Sequence, residues 1–388
     1  METDNNSFSV TTHSYTESEI ASQPGLWIKV YNEYRLIKDP LKAYLKNLLN
    51  NKDIRVILTG AGSSAFIGEV LLGVFNKRFR NPVSAAATTD LITHPELYFK
   101  KNNRYLLISF ARSGNSPESS QAVVLSEKLS QRVFHLIITC NRESELLETV
   151  RLKNKFVFLL PPEANDKGLA MTGSFTSMLL AGLMISRIYD DNKEVDEQIL
   201  ILHKYGNKIL NEYSKGIKKA AELDFRRAVF LGSGMLKGVA KESQLKLQEL
   251  TDGKIICKHD SFMGFRHGPK AVLDKSTLIV YLFSNSSYAN LYEKDLVTTI
   301  TKSGKILLSI GVMEENITAE NLNLEIVLSD NDKNIHEDFL TVVSVLPAQL
   351  LGLYKSEQLG LDPDSPSESG MIHRVVQGVN IYPYGNGE

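Results

Sequence analysis

The chain has 388 residues, 43% of them hydrophobic, with 44 basic and 45 acidic side chains and a formal net charge of −1 at pH 7. That length exceeds what one core usually fills and predicts two domains, while the balanced charge without a long basic run argues against a nucleic-acid partner and for a small one. Cys140 and Cys257 are the only cysteines, nothing at the start resembles a signal peptide, and no apolar run reaches ~18 residues, so a cytoplasmic protein with neither disulfide nor membrane span is expected.

Residues 1–22 are polar and rich in Ser and Thr, which predicts an arm that gains order only by packing on a partner. Pro24 then starts a helical pattern through Trp27, Val30 and Tyr34, and a second helix is expected over 40–49 with Leu41, Tyr44, Leu45, Leu48 and Leu49 inward. From there strands and helices alternate, with strands at 56–58, 83–87, 105–109, 133–139 and 156–160 and helices at 64–79 and 117–129. Continuous apolar strands separated by helices imply a parallel sheet covered on both faces. An apolar helix at 171–188, a charged boundary at 190–197 and a long helix to about Leu223 follow.

The pattern then repeats. RVILTGAGSS at 55–64 and RAVFLGSGML at 227–236 share one strand, turn and helix shape, and Gly60 matches Gly232 at a spacing of 172 residues, about one domain length. The second copy continues with strands at 254–257, 277–283, 305–310 and 324–328, a helix at 289–301, and a closing helix at 337–358 that Pro347 is expected to kink. Residues 362–388, with three prolines among several Gly and Ser, read as an extended tail. The expected organisation is an arm and helix at 1–38, a first domain at 39–190, a second at 191–361 and a tail at 362–388.

In open parallel sheets, ligands sit beyond the carboxyl ends of the strands, where the strand order reverses. Three loops of the first copy occupy or adjoin such ends: GAGSS at 60–64, ARSGNS at 111–116 and MTGSFT at 171–176. Each couples Gly, which lets a ligand approach the backbone, to hydroxyls and to a helix start whose unpaired N–H groups favour an anion. One such loop is ordinarily an N-cap and a tight turn. Three at one sheet edge predict a phosphate site, with Gly62, Asn115, Thr172 and Ser174 among the candidate ligands and Arg112 adding a full positive charge. The second copy carries Met235 and Leu236 where the first has Ser63 and Ser64, so phosphate is assigned to the first copy. Gly60, Gly62 and Ala65 also fit a loose GxGxxA dinucleotide pattern, but the strand at 83–87 ends without the acidic residue that pattern needs. His259 and His267 stand eight apart with no HExxH motif or Cys pair, so neither metal nor cofactor is expected.

Acid–base chemistry is expected in the second copy, over 242–269. At i, i+4 and i+7 of a helix, Glu242, Lys246 and Glu249 fall within about 60° of one another. An apolar arc of Leu236, Val239, Ala240, Leu247 and Leu250 lies on one side and a solvent arc of Lys237, Lys241, Gln244 and Gln248 opposite. The stripe therefore lies at a buried edge, where excluded water shifts pKa values, and His267 in the following loop supplies a second group titrating near neutrality. Alone, this reads more simply as an ion pair on a helix flank with a loop histidine. The phosphate loops tip the reading toward catalysis.

Together GAGSS, SFARSGNSPES, KESQLKLQEL and RHGP resemble the sugar isomerase (SIS) domain family, arranged as in the double-domain isomerase half of glucosamine-6-phosphate synthase, over roughly residues 25–360. SQPGLW around Trp27 and HRVVQGVNIYPYG at 373–385 are similar to its AgaS group, described as tagatose-6-phosphate ketose/aldose isomerase or galactosamine-6-phosphate deaminase/isomerase. The resemblance implies two tandem SIS domains, each a flavodoxin-like, doubly wound parallel sheet with helices on both faces. It implies phosphate-holding hydroxyls at Ser63, Ser64, Ser113 and Ser116, a base at Glu249 and an active-site lysine at Lys246. It further implies a ring-opening histidine at His267 that reaches a neighbouring subunit, hence a homodimer or a dimer of dimers. Ala111 and Arg112 depart from the Ser and Gln of the synthase loop, Met171 replaces a substrate-binding Ser, the tail lacks the synthase lysine, and no glutaminase domain is expected. The implied activity is conversion of galactosamine 6-phosphate to tagatose 6-phosphate and ammonia without metal or cofactor. The alternatives are ketose/aldose isomerisation without deamination, or a sugar-phosphate sensor, which would need neither Glu249 nor His267.

Overall fold

The computed structural model describes residues 14–150, 154–317, 322–331, 333–376 and 378–385. It opens with a single 35-residue helix, α1 (Tyr15–Leu49), where two helices preceded by an arm were expected. Residues 15–22 are thus helical and pack on their own chain, while residues 1–13 lie outside the described residues. Ser14 caps the helix by accepting from Glu17 N–H, and Asp364 of the tail accepts from the N–H groups of Tyr15 and Thr16 at 2.8 and 2.7 Å. Pro24 does not start the helix because its lost hydrogen bond is replaced. The carbonyl of Ile20, four residues back, receives the side-chain amide of Gln23, which also donates to Gln349 at 2.6 Å.

The first copy runs β1 (Ile54–Gly60), α2 (Ser63–Arg78), β2 (Val83–Ala87), α3 (Thr88–Thr93), α4 (Pro95–Tyr98), β3 (Arg104–Ala111), α5 (Pro117–Leu129), β4 (Arg132–Thr139), α6 (Glu145–Thr149), β5 (Lys155–Leu159) and α7 (Gly173–Ser186). Within the stretch at 190–197 expected as a boundary begins α8 (Asn192–Lys208), which passes through a π-turn into α9 (Ser214–Ala221). The second copy runs β6 (Arg227–Gly232), α10 (Leu236–Leu250), β7 (Ile256–Asp260), α11 (Phe262–Phe265), β8 (Thr277–Leu282), α12 (Ser287–Ser303), β9 (Leu308–Met313), β10 (Leu324–Val327), α13 (Glu337–Val343) and α14 (Leu346–Gln358). Pro347 sits in the first turn of α14, so the closing helix breaks in two rather than kinking. Residues 337–358 are apolar and long enough to cross a membrane, which the sequence reading did not anticipate. However, 94% of their most apolar window is buried inside the fold.

Both sheets are parallel and share one strand order. The first is β2-β1-β3-β4-β5 and the second β7-β6-β8-β9-β10, so the inferred duplication holds at the level of topology. In each copy the order reverses between the first and third strands, which is where a ligand crevice forms. The turn after the first strand is also repeated: Gly62 and Gly234 adopt φ of +55° and +54°, a left-handed conformation that a side chain would strain. The copies do not keep separate cores. One apolar core runs from Ile20 through both sheets to Leu353, with smaller clusters on the outer sheet faces.

Candidate active site between the two copies

The site follows from how α2 and α10, equivalent helices of the two copies, meet. They pack against each other in opposite directions: Gly238 lies against Val70, where a Cβ would come within 2.6 Å, and Lys241 pairs with Glu69 at 2.6 Å. This close approach brings the start of α2 to the last turns of α10. Ser63 Oγ there donates to Glu242 Oε1 at 3.0 Å, so the phosphate-loop copy and the charged-helix copy are directly joined.

Along α10 the predicted arcs are observed. Leu236, Val239, Ala240, Leu247 and Leu250 are fully buried, Lys237 is exposed, and Lys241, Gln244 and Gln248 are half-buried. Lys246 is 1% exposed and lies between two carboxylates, 3.3 Å from Glu242 and 2.7 Å from Glu249. Burial works against its charge, but the two carboxylates outweigh it and raise its pKa. Glu242 is fully buried, and burial pushes its pKa up to about 7 against the pull of Lys246. Glu249 remains partly open to the crevice, with 23% of its side chain exposed. Lys246 therefore orients a solvent-reachable carboxylate while being held by a buried one. Because the folded pKa of Glu242 lies above its ordinary 4.5, its contribution to stability is present below that value and is lost as pH rises through about 7. Glu242→Gln cannot ionise, so the melting-temperature difference between variant and wild type is expected to move in the variant's favour from pH 4.5 to 7 and then level off. A flat difference would show that Glu242 does not titrate there.

Beside Glu249 opens a cavity of about 320 Å³ lined by Gly62, Ser63, Ser64, Arg112, Ser113 and Ser116 from the first copy and by Leu245, Lys246 and Glu249 from the second. Residues 371–376 of the tail cover it. No side chain caps the starts of α2 or α5, and Gly62, Ser63, Ser64 and Ser116 at those starts line the cavity. Arg112 is 7% exposed, and its Nη2 donates to the carbonyl of Arg374, but its buried Nη1 has no hydrogen-bond partner. Burial and the neighbouring Arg374 lower its pKa, so this guanidinium is short of negative charge. A cation of this kind beside two helix starts without side-chain caps favours an anion.

Three sequence-predicted ligands lie elsewhere. Thr172 and Ser174 do not line the cavity, because their hydroxyls and the N–H groups of 172–174 all donate to the buried carboxylate of Asp166, which already fills the start of α7. Asn115 is exposed and accepts from Glu145 N–H at 3.1 Å. His267 is also exposed and does not line this chain's cavity. Conversely, Ser119 lines the cavity and its hydroxyl meets that of Ser116 at 2.7 Å. It lies one helical turn after Ser116, and that spacing is the signal that would have found it. His373 and Arg374, the first two residues of the 373–385 segment singled out in the sequence but given no role there, are further lining residues. Among the described residues, no group of three or more His, Cys, Asp or Glu is placed to hold a metal ion.

No family model matches the chain. It is 37% identical over 374 residues to D-galactosamine-6-phosphate deaminase AgaS of Shewanella sp. (strain ANA-3), covering 95% of this chain and 92% of that protein. The protein of the same name from Escherichia coli is 36% identical over 376 residues, covering 96% and 97%. Among solved structures, tagatose-6-phosphate ketose/aldose isomerase from Escherichia coli matches with a TM-score of 0.87 at 34% identity, over 96% of this chain and 98% of that one. The C-terminal domain of glucosamine-fructose-6-phosphate aminotransferase from Francisella tularensis, 20% identical with a TM-score of 0.73 over 91% and 99%, shares the fold. The expected tandem arrangement of SIS-type domains is thereby borne out.

Proposed function

We propose, since this chain belongs to the AgaS family, that its inter-copy cavity converts galactosamine 6-phosphate to tagatose 6-phosphate and ammonia. The observation that carries this reading is Arg112, whose buried Nη1 has no hydrogen-bond partner, lining one cavity with two helix starts that lack side-chain caps and with Glu249. The 6-phosphate binds between Ser64, Ser113, Ser116 and Arg112, while the Ser63 hydroxyl, expected among these ligands, is held by Glu242. That grip leaves C1 and C2 toward α10. Glu249 removes the C2 proton of the open-chain aldehyde and returns it to C1, which a single carboxylate can do because the carbons are adjacent. Lys246 keeps Glu249 oriented. The C2 imine that results is hydrolysed to the ketose.

His267, exposed and outside its own chain's cavity, opens the pyranose ring in the cavity of a neighbouring subunit. A shared site makes the enzyme at least a dimer. Mixing inactive Glu249→Gln subunits with inactive His267→Ala subunits is then expected to restore activity once subunit exchange is demonstrated, since a hybrid contains one site with both native groups. Demonstrated hybrids that stay dead would remove the shared-site assignment.

The name of the Escherichia coli structure favours a second reading, ketose/aldose isomerisation without deamination. Incubation with galactosamine 6-phosphate separates the two. Equal amounts of ammonia and ketose are expected. No reaction there, with turnover of tagatose 6-phosphate, would select the isomerase.

A further inference from the structure

The tail has no helix or strand among its described residues, yet it is tied down along its length. On the second copy, Glu368 pairs with Lys254 at 2.9 Å, and Ser369 donates to Asp252 through its N–H and hydroxyl at 3.1 and 2.9 Å, just beyond Glu249. On the first copy, Arg374 donates from Nε to the carbonyl of Asp166 at 2.9 Å and from Nη2 to Asn165 Oδ1 at 3.1 Å. Its own carbonyl accepts from Arg112. Farther on, Lys128 donates to the carbonyl of Tyr384 at 3.0 Å. The strap thus crosses the cavity from the α10 side to the loop after β3. Residue 374 is fixed at both its side chain and its main chain, which positions residue 373 beside it.

His373 is the one imidazole lining the cavity among the described residues. The other ionisable groups are committed: Arg112 holds the phosphate and, with Arg374, the strap, Lys246 is locked between two carboxylates, Glu249 serves carbon-bound protons, and His267 from the neighbouring subunit serves ring opening. The reaction still needs a group that both accepts and gives a proton at the C2 nitrogen. We propose that His373, delivered by the strap in its own chain, is the acid–base group that releases ammonia from C2, a role that rests on the reaction proposed above. Solvent water attacks the C2 iminium, forming the C2–O bond while its proton passes to His373. The imidazolium protonates the nitrogen of the resulting carbinolamine. The C2–N bond then breaks with its electron pair on nitrogen, and the hydroxyl proton departs with the ammonia as ammonium, leaving the ketose carbonyl.

The test compares two readouts on one variant. In His373→Gln, ammonia release from galactosamine 6-phosphate is expected to fall about 10²-fold or more. Deuterium uptake at C1 of tagatose 6-phosphate in D₂O, which involves no nitrogen, is expected to stay within about threefold of wild type. Equal losses in both readouts, or no loss of ammonia release, would overturn the assignment. A wild-type enzyme that shows neither ammonia release nor C1 exchange would instead overturn the underlying reaction.

Discussion

Replacing Glu249 with Gln is expected to lower turnover of the sugar phosphate by about 10²-fold or more while leaving substrate binding nearly intact. The substitution keeps the shape and a hydrogen-bonding oxygen for Lys246, which now bonds Glu249 at 2.7 Å, but removes the only partly exposed carboxylate on the cavity wall of α10. Lys246 stays anchored by Glu242 at 3.3 Å, so the helix keeps its local charge balance. Calorimetric titration with tagatose 6-phosphate alongside the rate measurement separates the alternatives. Retained affinity with lost turnover identifies the base. Loss of affinity in step with turnover would reduce Glu249 to a structural partner of Lys246.

The second large effect is expected at Arg112. Arg112→Met keeps the buried stem and removes the guanidinium, and with it charge-assisted hydrogen bonds to the phosphate worth about 1.5–3 kcal/mol, so KM is expected to rise by about 10- to 100-fold. Stability should respond with the opposite sign. In the ligand-free protein the variant no longer buries a cation whose Nη1 is unpaired, so its melting temperature should not fall. Inorganic phosphate is expected to stabilise the wild type through mass action and the variant much less. A lower melting temperature for the ligand-free variant with an unchanged phosphate response would mean that Arg112 serves only to hold the tail through the carbonyl of Arg374.

Local chemistry explains which parts of this molecule the sequence exposes. The repeated turn was legible because only a left-handed glycine permits it, and Gly62 and Gly234 stand 172 residues apart. The stripe on α10 was legible because helical period alone brings Glu242, Lys246 and Glu249 together. Side-chain placement in loops and long-range contacts were not legible. Thr172 and Ser174 looked like phosphate ligands, but Asp166 of the preceding loop fills the same helix start, and its position in the sequence does not show that the loop folds back to put it there. Pro24 looked like a helix start because proline is favoured in the first turn; what lets the helix run through it is Gln23, whose side chain donates to the freed carbonyl of Ile20 and to Gln349 more than 300 residues away. The segment 373–385 stood out, but the place of His373 over the cavity did not, because the ties that bring it there, to Asp252, Lys254, Asn165, Asp166 and Arg112, are scattered across both copies.

The central claim is that one carboxylate, Glu249, moves a proton between adjacent carbons of a phosphate-anchored amino sugar. The most direct test follows the label in galactosamine 6-phosphate deuterated at C2. Transfer by one carboxylate predicts a primary isotope effect on turnover and recovery of part of the deuterium at C1 of the tagatose 6-phosphate formed, with the remainder lost to solvent. It also predicts that both signals vanish in Glu249→Gln. Ketose formed without an isotope effect and with no deuterium at C1, or labelled ketose still formed at the wild-type rate by Glu249→Gln, would contradict it.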